Sequence, residues 1–180
     1  LTTHPDTTRL VQELVKRLDR PSVIDADGLN ALSAQPDILS VCKVSPILTP
    51  HPGEMARLDR STPQIVNANR VSTAVRYAQA HRVIVVLKGA RTVVARADGV
   101  ASICPTGNPG MATAGTGDVL TGMIVGLLAQ RLSPWDAACA ATYLHGLAGD
   151  MAAQEIGEVG MTAGDVIERI PHATRQTIAA

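Results

Sequence analysis

The run Val83-Ile84-Val85-Val86-Leu87 constrains the fold of this chain more than any other segment. It is apolar throughout, so as a strand it has to be covered on both faces, as in sheets sandwiched between helices. The segments before it alternate between two periodicities. Leu10, Val11, Leu14, Val15 and Leu18 recur at helical spacing, with Asp6 as the expected cap and Pro21 as the expected stop. Ser22 to Ala26 reads as a short buried strand, and Asp27-Gly28 turns into a helical piece through Leu29, Ala31 and Leu32. Pro46 to Thr49 is a second short strand, followed by the loop Pro50-His51-Pro52-Gly53 and a helix from Glu54. A helix over 68–81 feeds the apolar run. Strand–helix alternation of this kind predicts an α/β domain with a mostly parallel sheet flanked by helices.

Downstream the pattern changes. Thr92 to Ala97 and Val100 to Cys104 flank Asp98-Gly99, a pair suited to a tight turn, so a late β-hairpin is expected. An apolar helix is expected over Val119 to Gln130, an Ala-rich helix from Pro134 to about Gln154, and a last helix from Thr162 to Ile170. With 180 residues the chain can bury a sizeable core, and a single domain over 1–180 is the simplest reading. Phe is absent and aromatics make up 2%, so that core must be built from Val, Ile, Leu, Ala and Gly. Lys+Arg and Asp+Glu both number 16, and this balance argues against a nucleic-acid or membrane-surface partner. Apolar stretches are too short to span a membrane. Cys42, Cys104 and Cys139 lack metal spacing and read as thiols in a reducing cytoplasm.

The chemistry concentrates in Gly107-Asn108-Pro109-Gly110-Met111-Ala112-Thr113-Ala114-Gly115-Thr116-Gly117-Asp118. Glycines let successive N–H groups converge, and the helix that follows adds unpaired N–H groups and a positive dipole end. The N–H groups of Gly115, Thr116 and Gly117 can stabilise a transferring phosphoryl group while Asp118 accepts the proton of an attacking hydroxyl. The bland alternative is a glycine turn with Asp118 as a helix-start residue. The run is neither a Walker A loop nor a dinucleotide fingerprint, because the residues that define those motifs are missing.

Three further segments follow predicted strands, where ligands of open α/β sheets bind. Lys88-Gly89-Ala90-Arg91-Thr92 offers a cation and a hydroxyl to a nucleotide phosphate, against the plain reading of an exposed lysine. His51 and Glu54 place an imidazole and a carboxylate at a helix start. His51 suits a polar substrate and Glu54 a Mg²⁺ ion through water, against simple helix-dipole chemistry. Asp25, Asp27 and Asn30 crowd one strand–helix corner, where turn chemistry alone would also favour them. His4, His81, His145 and His172 have no such company and read as structural or surface residues.

Taken together, VIDADGLNAL, LTPHPGEMARL, VVLKGARTVV and GNPGMATAGTGDVLTG resemble the ADP/ATP-dependent NAD(P)H-hydrate dehydratases of the ribokinase-like superfamily. Thr162-Ala163-Gly164-Asp165 extends the likeness to nearly the whole chain. The resemblance implies a ribokinase-like fold and a repair reaction, in which ADP or ATP with Mg²⁺ phosphorylates NADHX or NADPHX and phosphate then leaves. It implies hydrate contacts at His51 and Asp118, with Asp118 as the base. Nucleotide contacts are implied at Lys88, Gly89, Ala90, Arg91, Thr92 and Gly117. Related thiazole and pyrimidine kinases have Asn where His51 stands, which favours the dehydratase. Family members carry a further segment before the point matching Leu1, so an N-terminally shortened domain is expected. A homo-oligomer and, in some relatives, an upstream epimerase domain belong to the same expectation. The alternatives are a kinase of a small hydroxymethyl heterocycle and a non-catalytic nucleotide-binding remnant.

Overall fold

The structure is a computed structural model describing residues 4–179. The expectation attached to Leu1 and the loop reading of the first three residues lie outside the described residues. The chain divides into two compact units, Leu1–Lys88 with Val93–Ser102, and Gly89–Thr92 with Ile103–Ala180.

The first unit is built on a sheet of β1 (Val23–Ile24), β2 (Ile47–Leu48), β3 (Ile84–Leu87), β4 (Val93–Ala95) and β5 (Ala101–Ile103), whose last residue opens the second unit. The strands lie in chain order, β1 to β3 parallel and β4 antiparallel to β3, matching the expected parallel core with a late hairpin. Val23 pairs with Ile47 and Ile47 with Ile84, so the ends of these strands share one edge of the sheet. The parallel strands are shorter than the apolar runs suggest. Even so, ladder bonds from Ile47 N to Ser22 O and from Lys88 N to Pro50 O carry pairing beyond them.

Helices α1 (Pro5–Lys16), α2 (Asp27–Ser33), α3 (Pro52–Leu58), α4 (Pro63–Ala68) and α5 (Arg70–His81) belong to this unit. His4, not Asp6, caps α1, because its Nδ1 accepts the Asp6 N–H at 3.3 Å while Asp6 already lies inside the first turn. The helix closes at Arg17, ahead of Pro21. The helix expected over 68–81 is α5, and a separate short helix, α4, capped by Thr62, precedes it, with Asn69 at φ −133° between the two. Leu29, Leu32, Leu48, Met55, Val66, Val85 and Leu87 pack into one cluster. Each large side chain fully removed from water contributes about 1.5–3 kcal/mol.

The second unit contains a 3₁₀ turn at Pro109–Met111, then α6 (Thr116–Ala129), α7 (Pro134–Ile156) and α8 (Ala163–Ile178). Small residues let α7 approach its neighbours closely. Ala148 and Ala152 pack with Met161, Val166 and Ala173, as the Phe-free composition requires. Helix α8 runs past the expected end at Ile170 with Pro171 inside it. Both Pro171 and Ile167, a turn earlier, are exposed, so water can satisfy the carbonyl that proline leaves without a donor.

Candidate active site

In the first unit, the residues just after β1, β2 and β3 are joined through one ammonium. Lys88 Nζ lies 2.8 Å from Asp25 Oδ1 and 4.0 Å from Glu54 Oε2. Its side chain is only 19% exposed, which excludes the plain surface-lysine reading. Asp25 Oδ1 also accepts the Ala26 N–H at 2.8 Å. Ala26 itself sits at φ 50°, a strained conformation for a residue with a Cβ. Around the same corner, Asn30 Nδ2 donates to Asp27 Oδ1 at 3.2 Å and Arg57 Nη1 donates to Asn30 Oδ1 at 2.9 Å. Arg70 of α5 secures the end of β3 by donating to the Leu87 carbonyl at 2.8 Å, and burial lowers its pKa.

His51 is the N-cap of α3, and with Glu54 it forms a complete capping box. Its Nδ1 accepts from Gly53 N at 2.9 Å, while His51 N donates to Glu54 Oε2 at 2.8 Å. A Cβ at Gly53 would stand 2.8 Å from the His51 ring, so the glycine permits this approach. Because Nδ1 accepts, the neutral ring carries its proton on Nε2, on a side chain that is 50% exposed. Glu54, the expected water-mediated Mg²⁺ ligand, is buried at the start of α3. It is 7% exposed, and its oxygens face the His51 N–H, the His51 ring and Lys88. Among the described residues, no group of three or more His, Cys, Asp or Glu is placed to hold a metal ion.

The second unit holds the glycine run. Helix α6 begins at Thr116, earlier than the expected Val119, so Asp118 falls in its first turn instead of preceding it. Gly115 is the N-cap at φ 90°, where glycine carries no Cβ penalty, and no side chain caps this end. The cap side chains of α1, α3, α4, α7 and α8 accept a helix N–H, whereas the starts of α2, α5 and α6 have no such cap. The first N–H groups of α6 are thus left for a ligand or water. Thr116 is buried and its hydroxyl is turned inward, donating to Met111 O at 2.8 Å and Thr113 O at 2.9 Å. The Asp118 carboxylate is exposed and forms no ion pair among the described residues. The turn Gly89–Thr92 also belongs to this unit. Gly89, Ala90 and Arg91 are exposed, and Thr92 Oγ1 donates to Gly89 O at 3.1 Å.

Sequence matching adds to this geometry. The sequence model of the NAD(P)H-hydrate dehydratase family matches residues 1–172. The chain belongs to that family. It is 49% identical over 175 residues to the bifunctional NAD(P)H-hydrate repair enzyme of Moorella thermoacetica, covering 97% of the chain and 33% of that protein. Among solved structures it is similar to the ADP/ATP-dependent NAD(P)H-hydrate dehydratase of Bacillus subtilis co-crystallised with ATP/Mg²⁺. There the TM-score is 0.84 at 30% identity, covering 98% of this chain and 61% of that one. A ribokinase-like superfamily protein of Enterococcus faecalis aligns with a TM-score of 0.77 at 26% identity, over 97% of this chain and 60% of that one. The fold is ribokinase-like. The chain spans about a third of the length of the Moorella relative it matches. Among the described residues, no helix is long and apolar enough to cross a membrane.

Residues of the second unit that the sequence left unassigned also belong to this picture. Asp150 accepts from Gly107 N and from Asn108 Nδ2, each at 2.9 Å. His145, read from sequence as structural or surface, is buried, and its imidazole faces the Thr116 backbone. Burial depresses its pKa to about 4, a shift that the Thr116 backbone only partly opposes. A clue was present in His145-Gly146 and Gly149-Asp150, glycines at helical spacing beside polar residues in an Ala-rich helix.

Proposed function

We propose that the chain carries the catalytic part of a nucleotide-dependent NAD(P)H-hydrate dehydratase, restoring NADH and NADPH from their hydrates. The observation that supports this most is the uncapped start of α6 at Gly115, with exposed Asp118 in its first turn. The hydrate's ring hydroxyl attacks the terminal phosphorus of ADP or ATP, the bond to the nucleotide's leaving oxygen breaks, and Asp118 takes the hydroxyl proton. The N–H groups of residues 115–117 stabilise charge on the transferring oxygens, where fixed donors are most effective. Phosphate is a better leaving group than hydroxide. The ring-nitrogen lone pair expels it, and loss of a proton from the adjacent ring carbon restores the double bond. Mg²⁺ supplies charge neutralisation to the nucleotide phosphates when bound.

In the first unit, we assign Nε2 of the half-exposed His51 side chain to a polar group of the hydrate. The exposed turn Gly89 to Thr92 offers backbone groups and the Thr92 hydroxyl to the nucleotide. Lys88 contributes to nucleotide binding through this turn's entry, its ammonium being engaged by Asp25. The test supplies purified NADPH hydrate, ADP or ATP, and Mg²⁺, and follows absorbance of the reduced ring together with released phosphate. Recovery of NADPH with one phosphate per turnover is expected. A stable phosphorylated product without NADPH would replace the dehydratase reading with a kinase, and nucleotide binding without turnover would leave a binding remnant.

A further inference from the structure

The loop 104–116 rests on one face of α7. Positions 142, 145, 146 and 149 recur at helical spacing and share that face, with Asp150 at its border. Thr106 Oγ1 donates to Tyr143 O at 2.8 Å. A Cβ on Gly146 would lie 2.7 Å from the Thr106 carbonyl carbon, and one on Gly149 would lie 2.8 Å from Met111 Cε. Contact this close to backbone requires glycine at 146, whereas at 149 the flexible Met111 side chain would have to move aside. Asp150 then binds Gly107 N and Asn108 Nδ2, and Asn108 Oδ1 accepts Gly110 N at 3.0 Å. The carbonyl of Met111 receives the Thr116 hydroxyl, and Thr116 is the residue whose backbone His145 of α7 faces. Both ends of the loop therefore return to α7.

A purely packing role explains His145 poorly. The residue is 9% exposed, and its Nε2 is buried without a partner, whereas an apolar side chain of similar volume would avoid that cost. What leucine could not supply is a polar group facing the backbone of the first residue of α6.

We propose that Asp150 and His145 are positioning residues, through which α7 fixes the glycine loop and sets the direction of the N–H groups opening α6. Neither touches a reacting atom in this account. They act through Gly107, Asn108 and Thr116, and the role in catalysis rests on the phosphoryl-transfer reading above.

The test exploits the amide–carboxylate pairing. Asp150→Asn faces the Asn108 amide with a second amide, whereas Asn108→Asp together with Asp150→Asn restores all three bonds with the partners exchanged. In the full chain, Asp150→Asn is expected to lower kcat about 100-fold, the scale of a small misplacement in a preorganised site, with nucleotide KM nearly constant. The exchanged pair recovers most of that loss. His145→Leu also lowers kcat while leaving the melting temperature unchanged or raised, an opposition that a merely structural residue would not produce. Amide hydrogen exchange gives a readout independent of turnover, with 107–117 exchanging faster in Asp150→Asn while the rest of 103–179 stays protected. An unchanged kcat in Asp150→Asn, no recovery in the exchanged pair, or uniform loss of protection across the unit overturns the proposal. Wild-type protein without any turnover sinks the dehydratase reading instead, and the exchange pattern then decides the positioning role by itself.

Discussion

The strand ends of the first unit and the glycine loop of the second use their polar groups in opposite ways. At the strand ends the polar side chains already satisfy one another: Lys88 with Asp25, and His51 with Glu54. In the loop the side chains of Asn108 and Thr116 are spent on shaping the chain, and the backbone N–H groups of the α6 start are left over. A prepaired charge cluster gives a rigid, selective surface. An uncapped helix start gives unfilled donors, the feature needed where charge develops only in the transition state. The contrast predicts that damage to the second unit falls on kcat, and damage to the first on stability or KM.

Asp118→Asn tests the kinetic side hardest. It keeps the helix start and removes the proton acceptor, so turnover should fall by about 100- to 10,000-fold, the usual cost of a lost general base, with nucleotide affinity nearly unchanged. Near-normal single-turnover rates would move the base elsewhere and leave Asp118 as a helix-start residue.

Lys88→Met tests the other side. It removes the cation between two carboxylates whose side chains are 11% and 8% exposed. Breaking such a pair should cost about 3 kcal/mol of unfolding free energy, the lower end for buried pairs because Lys88 keeps some solvent contact. Adding Asp25→Asn should return a large part of that loss. Denaturant titrations that place Lys88→Met within about 0.5 kcal/mol of wild type would mark the cluster as solvated after all.

These two regions were unequally legible in the sequence. Gly115 and Asp118 could be read because an αL cap and a carboxylate at a helix start are properties of residue type and local order. The strand-end cluster was legible as candidates, since the topology of parallel strands puts such residues on one edge. Its pairing was not, because the Lys88–Asp25 contact joins residues 63 positions apart. The same limit hid Asp150, whose partners Gly107 and Asn108 lie 43 and 42 positions before it. Local errors had local causes. Asp6 is a better cap by type than His4, yet Pro5 fits the first helical turn and leaves the cap to His4. The last helix was expected to end at Ile170, yet it runs on through Pro171, which an exposed face tolerates.

His145 ties stability to pH within the second unit. Its pKa falls from 6.5 to about 4 on folding, so below pH 6.5 the unfolded chain binds more protons than the native one. The contribution is fully present above 6.5, is lost as pH falls toward 4, and then levels off, with up to about 3 kcal/mol at stake. His145→Leu should flatten that part of the stability profile between the two values. An identical acid profile in the variant would assign the loss to other groups.

The smallest expected effect separates the two jobs of His51. Its Nδ1 caps α3, and asparagine is among the best N-caps, so His51→Asn should change stability by less than about 0.5 kcal/mol. Asparagine cannot present a ring N–H where Nε2 stands, 3.5 Å from Glu54 Oε1 on a half-exposed side chain. If His51 meets the hydrate, KM for NADPH hydrate should rise about tenfold, the scale of one lost polar contact, with kcat little altered and nucleotide KM constant. His51→Ala offers the complementary pattern, the same rise in KM together with about 1 kcal/mol of lost stability from the missing cap. An unchanged hydrate KM in both variants would reduce His51 to its capping role. The first unit would then contribute charge and rigidity, with substrate recognition left to other side chains.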